Sequence, residues 1–171
     1  MTEHAFWITS RAAGIIALLA ASLAVALGLL MSTPLRRRLP EARVLHEALS
    51  LATMVALVVH ALALMGDGYF KASVTDITIP FARGFWMGLG IVAGWLFLIL
   101  GLSYYVRGRI GPQRWRVLHR FTAVAWVLGV VHAVMMGTDA GTIWFLVAAT
   151  LVVVPAAALL ARRWIPQVAT T

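Results

Sequence analysis

The 171-residue chain has no cysteine. That excludes disulfide staples, cysteine-ligated zinc, iron–sulfur clusters and thioether-attached haem. Any redox centre must use non-covalent ligands, and histidine and methionine are the side chains left for it. Charge is scarce as well, at 12% of residues, and Lys71 is the sole lysine beside thirteen arginines. The net charge of +8 would suit nucleic acid, but the basic residues cluster at the ends of apolar segments and form no binding stripe. No nucleic-acid partner is expected. Linkers, internal repeats and low-complexity tracts are missing too, so residues 1–171 read as a single domain. The one glycine-rich run, Gly88-Leu-Gly90-Ile-Val-Ala-Gly94, lies inside an apolar segment and misses the dinucleotide spacing. It reads as small-residue helix packing, and no flavin or nicotinamide site is expected in the chain.

What the chain has in abundance is apolar surface. Hydrophobic residues make up 62% and the mean hydropathy is +0.92. A soluble core of this length cannot bury so much, which makes the class an integral membrane protein in contact with lipid. Five stretches reach membrane-spanning length and predict an all-α five-helix bundle over about 12–31, 44–65, 84–106, 117–136 and 142–160. Pro155 predicts a kink in the fifth helix. Arg36, Arg37, Arg38, Arg43, Arg107, Arg109, Arg114, Arg116, Arg120, Arg162 and Arg163 fall on one side; only Arg11, Lys71 and Arg83 fall on the other. By the positive-inside rule the N-terminus is outside and the C-terminus inside. The triple arginine follows the first apolar run, whereas a signal peptide carries its charge before it, so this run is expected to be a retained span.

Four histidines stand out. His46 and His60 lie 14 residues apart in the second span, and His119 and His132 lie 13 apart in the fourth. At about 1.5 Å of rise per residue each pair spans roughly 20 Å, most of an apolar membrane core. Helices two and four run parallel, so His46 matches His119 in depth near the inner face and His60 matches His132 near the outer. A lone histidine in such a segment is most simply a packed residue bonded to a carbonyl. Four at two matched depths are expensive without partners, and two b haems, each held by one imidazole from each helix, would satisfy all four. The 13-residue spacing leaves His119 and His132 well apart around an ideal helix. A distortion near Gly129, or an offset between the two levels, would reconcile them.

The strings LHEALSLATMVALVVHALALMGD (Leu45–Asp67) and WRVLHRFTAVAWVLGVVHAVMMGTDAG (Trp115–Gly141) resemble the ferric reductase transmembrane family, which includes the NADPH oxidase membrane domain. RAAGIIALLA (Arg11–Ala20) is similar to the first helix of its small bacterial members. The resemblance covers about Arg11–Thr142. It implies that His46, His60, His119 and His132 are axial ligands of two b haems and that the chain moves electrons across a membrane, expected to be the bacterial plasma membrane. Large members append a flavin- and nicotinamide-binding domain after the last helix. Here only about ten residues follow Ala161, so a stand-alone membrane domain is expected, with a separate flavoprotein or quinol as inner-side donor and an outer-side acceptor. The nearest functional likeness is the small haem-bearing subunit that feeds a periplasmic methionine sulfoxide reductase.

Arg43 and Arg120 are candidates for the inner haem propionates, since guanidinium matches carboxylate geometry; Lys71 or Arg83 would serve the outer one. Asp67 and Asp139 read as solvated rim charges. Met54, Trp95, Phe97 and Trp126 lie at mid-depth as candidate bridges between the haems. Trp86, Tyr104, Tyr105, Trp115, Trp144 and Trp164 form an interfacial belt, and His4 reads as a solvated tail residue. The loop 66–83 is expected to fold over the outer haem. The competing reading is a non-redox membrane protein, such as a transporter subunit or assembly factor, with structural histidines.

Overall fold

The computed structural model describes residues 2–34 and 40–163. Arg36, Arg37, Arg38 and Trp164 lie outside the described residues. The described residues are helical and contain no strand. In chain order they form α1 (Thr2–Met31), α2 (Ala42–Gly66), a short α3 (Val74–Thr78), α4 (Phe85–Leu102) closing in a 3₁₀ turn (Ser103–Val106), α5 (Arg107–Ile110), α6 (Pro112–His119), α7 (Thr122–Met136) and α8 (Ile143–Arg162). Five stretches are long and apolar enough to cross a membrane: His4–Met31, Ala42–Gly66, Phe85–Ile110, Pro112–Met136 and Ile143–Arg162. The protein is an integral membrane protein with five such helices. Large side chains such as Val55, Ile99 and Leu151 remain outward-facing, as a lipid-facing surface requires.

Glycine sets two of the starts. Gly84 (φ 101°) precedes α4, and Gly111 (φ 91°) precedes Pro112 at the first turn of α6. These left-handed conformations suit glycine, while proline's fixed φ and missing N–H suit a helix start. The first span begins about ten residues earlier than its apolar run suggests. The stretch before Ala12 is helical too, and Arg11 within it forms a two-pronged ion pair with Asp139 in the α7–α8 connection. The Arg11 guanidinium also sits 4.9 Å from the centroid of the Trp7 ring. Asp139 is therefore a buried, paired carboxylate rather than a solvated rim charge. Asp67 is likewise buried and accepts the Tyr69 N–H at 2.9 Å.

α1 packs along α2, α2 against α4, α4 along α7, and α7 back against α1; α8 covers α1. The segments carrying the histidines thus occupy opposite corners of a four-helix ring. At the centre, Trp126 packs with Ala21 and Ala156, flanked by Phe97. Its indole N–H donates to Ser22 Oγ at 3.0 Å, and Ser22 donates to the Leu18 carbonyl at 2.7 Å, so the buried polar atoms are satisfied.

The fourth span is interrupted directly after His119, not near Gly129, through which α7 runs unbroken. Arg120, Phe121 and Ala123 donate to carbonyls three residues back, and Thr122 Oγ1 donates to the His119 carbonyl at 2.7 Å. A 3₁₀ residue turns about 120° instead of about 100°. Three such steps shrink the angular gap between His119 and His132 from roughly 140° to roughly 80°. The break brings the two imidazoles toward a common face. α8 continues through Pro155.

The loop after α2 is tied down as well. Ser73 and Asp76 form a reciprocal capping box at α3. Arg83 pairs with Asp76 at 3.1 Å, donates to the Phe70 carbonyl at 2.8 Å and stacks on the Phe70 ring. Trp95 donates to the Thr78 carbonyl at 2.8 Å, which directs its indole to this loop and away from the bundle centre.

Candidate haem-binding site

Three of the four histidines share one local device. His60 Nδ1 lies 2.8 Å from the Ser10 carbonyl, His46 Nδ1 2.8 Å from the Ala24 carbonyl, and His132 Nδ1 2.9 Å from the Trp86 carbonyl. A carbonyl only accepts, so Nδ1 carries the hydrogen in each case and Nε2 keeps its lone pair. Among the described residues no protein donor meets any of these Nε2 atoms. This is how a metal-ligating histidine is prepared: the second nitrogen donates outward, fixing tautomer and ring orientation and raising ligand basicity.

Glycine makes the approach possible. Four residues after each acceptor comes a glycine, at Gly14, Gly28 and Gly90. A Cβ at Gly14 would stand 3.0 Å from the His60 ring, at Gly28 3.2 Å from His46, and at Gly90 2.6 Å from His132. The missing side chain lets the imidazole lie on the backbone and reach the carbonyl one turn earlier. This cradle is absent from the reading of the sequence above, although it leaves a signal there: Gly14 and Gly28 are 14 residues apart on α1, matching His46 and His60 on antiparallel α2. Gly90, read above as helix packing, accommodates a histidine ring.

His119 differs. Its Nδ1 is buried and has no hydrogen-bond partner among the described residues. Its ring stacks on Trp115, with centroids 4.8 Å apart and planes 22° apart. On its other side His46 stands edge-on, with centroids 6.1 Å apart and planes at 82°. A metal gripped from both sides by imidazole nitrogens at about 2 Å each sets ring centres roughly 6 Å apart. The His46–His119 separation fits that arrangement. Of the two expected pairs, His46 and His119 stand face to edge in the structure, while His60 and His132 are each pinned to a neighbouring helix, at Ser10 and Trp86. All four are half-buried.

The residues expected around the haem edges are placed as follows. Arg43 donates to the Tyr104 hydroxyl at 3.2 Å. Arg120 is exposed, in the turn between α6 and α7. Arg83 is committed to the loop contacts above, and Lys71 is exposed with φ 46°. Met54 and Trp126 are buried at mid-depth, each between the two histidines of its span.

The ferric reductase like transmembrane component family matches residues 11–130, well over half of the chain, and the protein belongs to that family. His46, His60 and His119 fall inside the matched region and His132 two residues beyond it. No curated protein and no solved structure gives a significant match. Family membership carries a membrane electron-transfer role; such domains typically bind haem and work with separate reductase partners.

Proposed function

We propose that the chain is a di-haem b membrane cytochrome, a single domain over residues 1–171 of the bacterial plasma membrane, with its N-terminus outside and C-terminus inside. His46 and His119 hold the inner haem, and His60 and His132 the outer. The observation that carries this reading is the set of three Nδ1–carbonyl bonds that leave the Nε2 lone pairs free for a metal, together with the facing His46 and His119 rings. Haem held by these imidazoles would supply a one-electron couple.

The protein's residues do the rest. Ser10, Ala24 and Trp86 lock three imidazoles in one tautomer. Gly14, Gly28 and Gly90 let the rings seat against the backbone. Apolar packing around Trp126, Met54 and Phe97 keeps water from the middle of the path. Arg43 and Arg120, at the inner end, supply positive charge for the inner propionates. Two imidazoles on each iron would leave no site for substrate there, so electrons would pass by outer-sphere transfer from a separate inner-side flavoprotein or quinol to an outer-side acceptor.

Alanine substitutions at the ligands test the assignment level by level. His60→Ala and His132→Ala are each expected to abolish one low-spin haem signal in electron paramagnetic resonance, and the same one. His46→Ala and His119→Ala should remove the other. Four variants that all keep both signals would overturn the ligand assignment, whereas natural protein with no haem signal would favour structural histidines and a non-redox membrane protein.

A further inference from the structure

Resting on that reading, we infer that Trp115 is the positioning residue of His119, doing by stacking what a carbonyl bond does for the other three imidazoles, and that Ser103 holds Trp115 in place.

Register explains why the fourth position departs from the rule. His132 seats on Gly90 of α4, and α4 and the His119 segment belong to successive, antiparallel spans. Moving 13 residues along each, from His132 to His119 and from Gly90 to position 103, reaches Ser103 instead of a glycine. The helix tightens into its 3₁₀ turn at this residue. Ser103 Oγ donates to the Leu100 carbonyl at 2.6 Å and accepts the Trp115 indole N–H at 3.0 Å. The indole is thus fixed in plane by a two-bond relay. Tyr104 braces its edge at a centroid distance of 5.8 Å.

Trp115 precedes His119 by one turn of α6, so their side chains meet on one helix face. The stack resists tilting of the imidazole, while the Nδ1 hydrogen is left without an acceptor. An imidazole without a second hydrogen bond is a weaker donor to iron than one with it. The inner level therefore combines one pinned, basic ligand (His46) with one stacked, less basic ligand (His119), whereas both outer ligands are pinned. The two centres differ in ligand strength and in how firmly a ligand is retained. The inner haem is expected to be reduced at the higher potential, and His119 to be its more easily displaced ligand.

The test uses detergent-purified full-length protein and its Trp115→Ala, Trp115→Phe and Ser103→Ala variants, probed with carbon monoxide after dithionite reduction and by redox titration. Trp115→Ala is expected to convert one haem of the two to a carbon monoxide-binding form, with the outer low-spin signal unchanged. Trp115→Phe, which keeps a ring on His119, should restore most of the inner ligation. Ser103→Ala removes a single oxygen, so folding is preserved; it should shift the inner midpoint potential alone. The assignment is overturned if all three variants keep wild-type potentials and no carbon monoxide uptake, or if Ser103→Ala and Trp115→Phe disturb both haems equally. Wild-type protein without haem would refute the haem reading itself, a result separable from either.

Discussion

The glycine cradle makes a graded prediction. Carbon atoms in ordinary contact sit about 3.5–4.0 Å apart. Alanine at Gly90 would place a methyl 2.6 Å from the His132 ring, so the ring must retreat by about 1 Å. That breaks the bond to the Trp86 carbonyl, at about 1 kcal/mol, and adds an overpacking cost of about 1–3 kcal/mol. Replacing a helical glycine returns about 1 kcal/mol, which leaves a net loss of roughly 1–3 kcal/mol. At Gly14 the overlap with His60 begins at 3.0 Å, and at Gly28 with His46 at 3.2 Å. A shift of about 0.3 Å absorbs the latter, and the helix-propensity gain offsets most of its cost. Retained haem per chain after purification should therefore fall in the order Gly28→Ala, Gly14→Ala, Gly90→Ala, with the last two affecting only the outer haem. Loss of the inner haem in Gly28→Ala, with both retained in Gly90→Ala, would refute the reasoning.

Three further outcomes follow from the packing. Arg11→Ala should destabilise more than Asp139→Ala, because it strands a buried carboxylate, whereas a freed Arg11, with 36% of its side chain exposed, can extend to water; thermal unfolding of the two variants decides, and the opposite order contradicts this account of the pair. Asp76 is held below the ordinary carboxylate value by its bonds to Ser73, with Arg83 adding to the effect; its stabilisation of α3 is present above the unfolded-state pKa and is lost as pH falls through the lower folded value. Amide exchange across 66–83 should accordingly rise below about pH 4 in the natural protein but not in Asp76→Asn, and a pH-independent loop would contradict it. Trp126→Ala should cost about 3–5 kcal/mol and Trp126→Phe about 1 kcal/mol, since phenylalanine fills most of the space but leaves Ser22 one partner short; equal losses in chemical unfolding would point away from that bond.

Much of the architecture was legible because it rests on local signals. Apolar run length gave the five spans, and the histidine spacings singled out four residues of which His46 and His119 face each other. What escaped depends on contacts distant in sequence. Arg11, a charge that by itself argues against a span, is neutralised by Asp139, 128 residues away. The turn at Arg120–Phe121 is set by i→i+3 bonds in a segment with no proline or glycine to announce it. The acceptor roles of Ser10, Ala24 and Trp86 belong to the backbone, so side-chain identity at those positions says nothing of them. Trp115 reads as an interfacial aromatic until its stack on His119 is visible.

Two b haems held by four histidines in one chain is a property that can be counted. It is tested most directly by a reduced-minus-oxidised visible spectrum of the purified protein, with haem per chain measured as the pyridine haemochrome. The account predicts a low-spin b-type spectrum and two haems per chain. A colourless protein, purified from cells with ample haem, would contradict it.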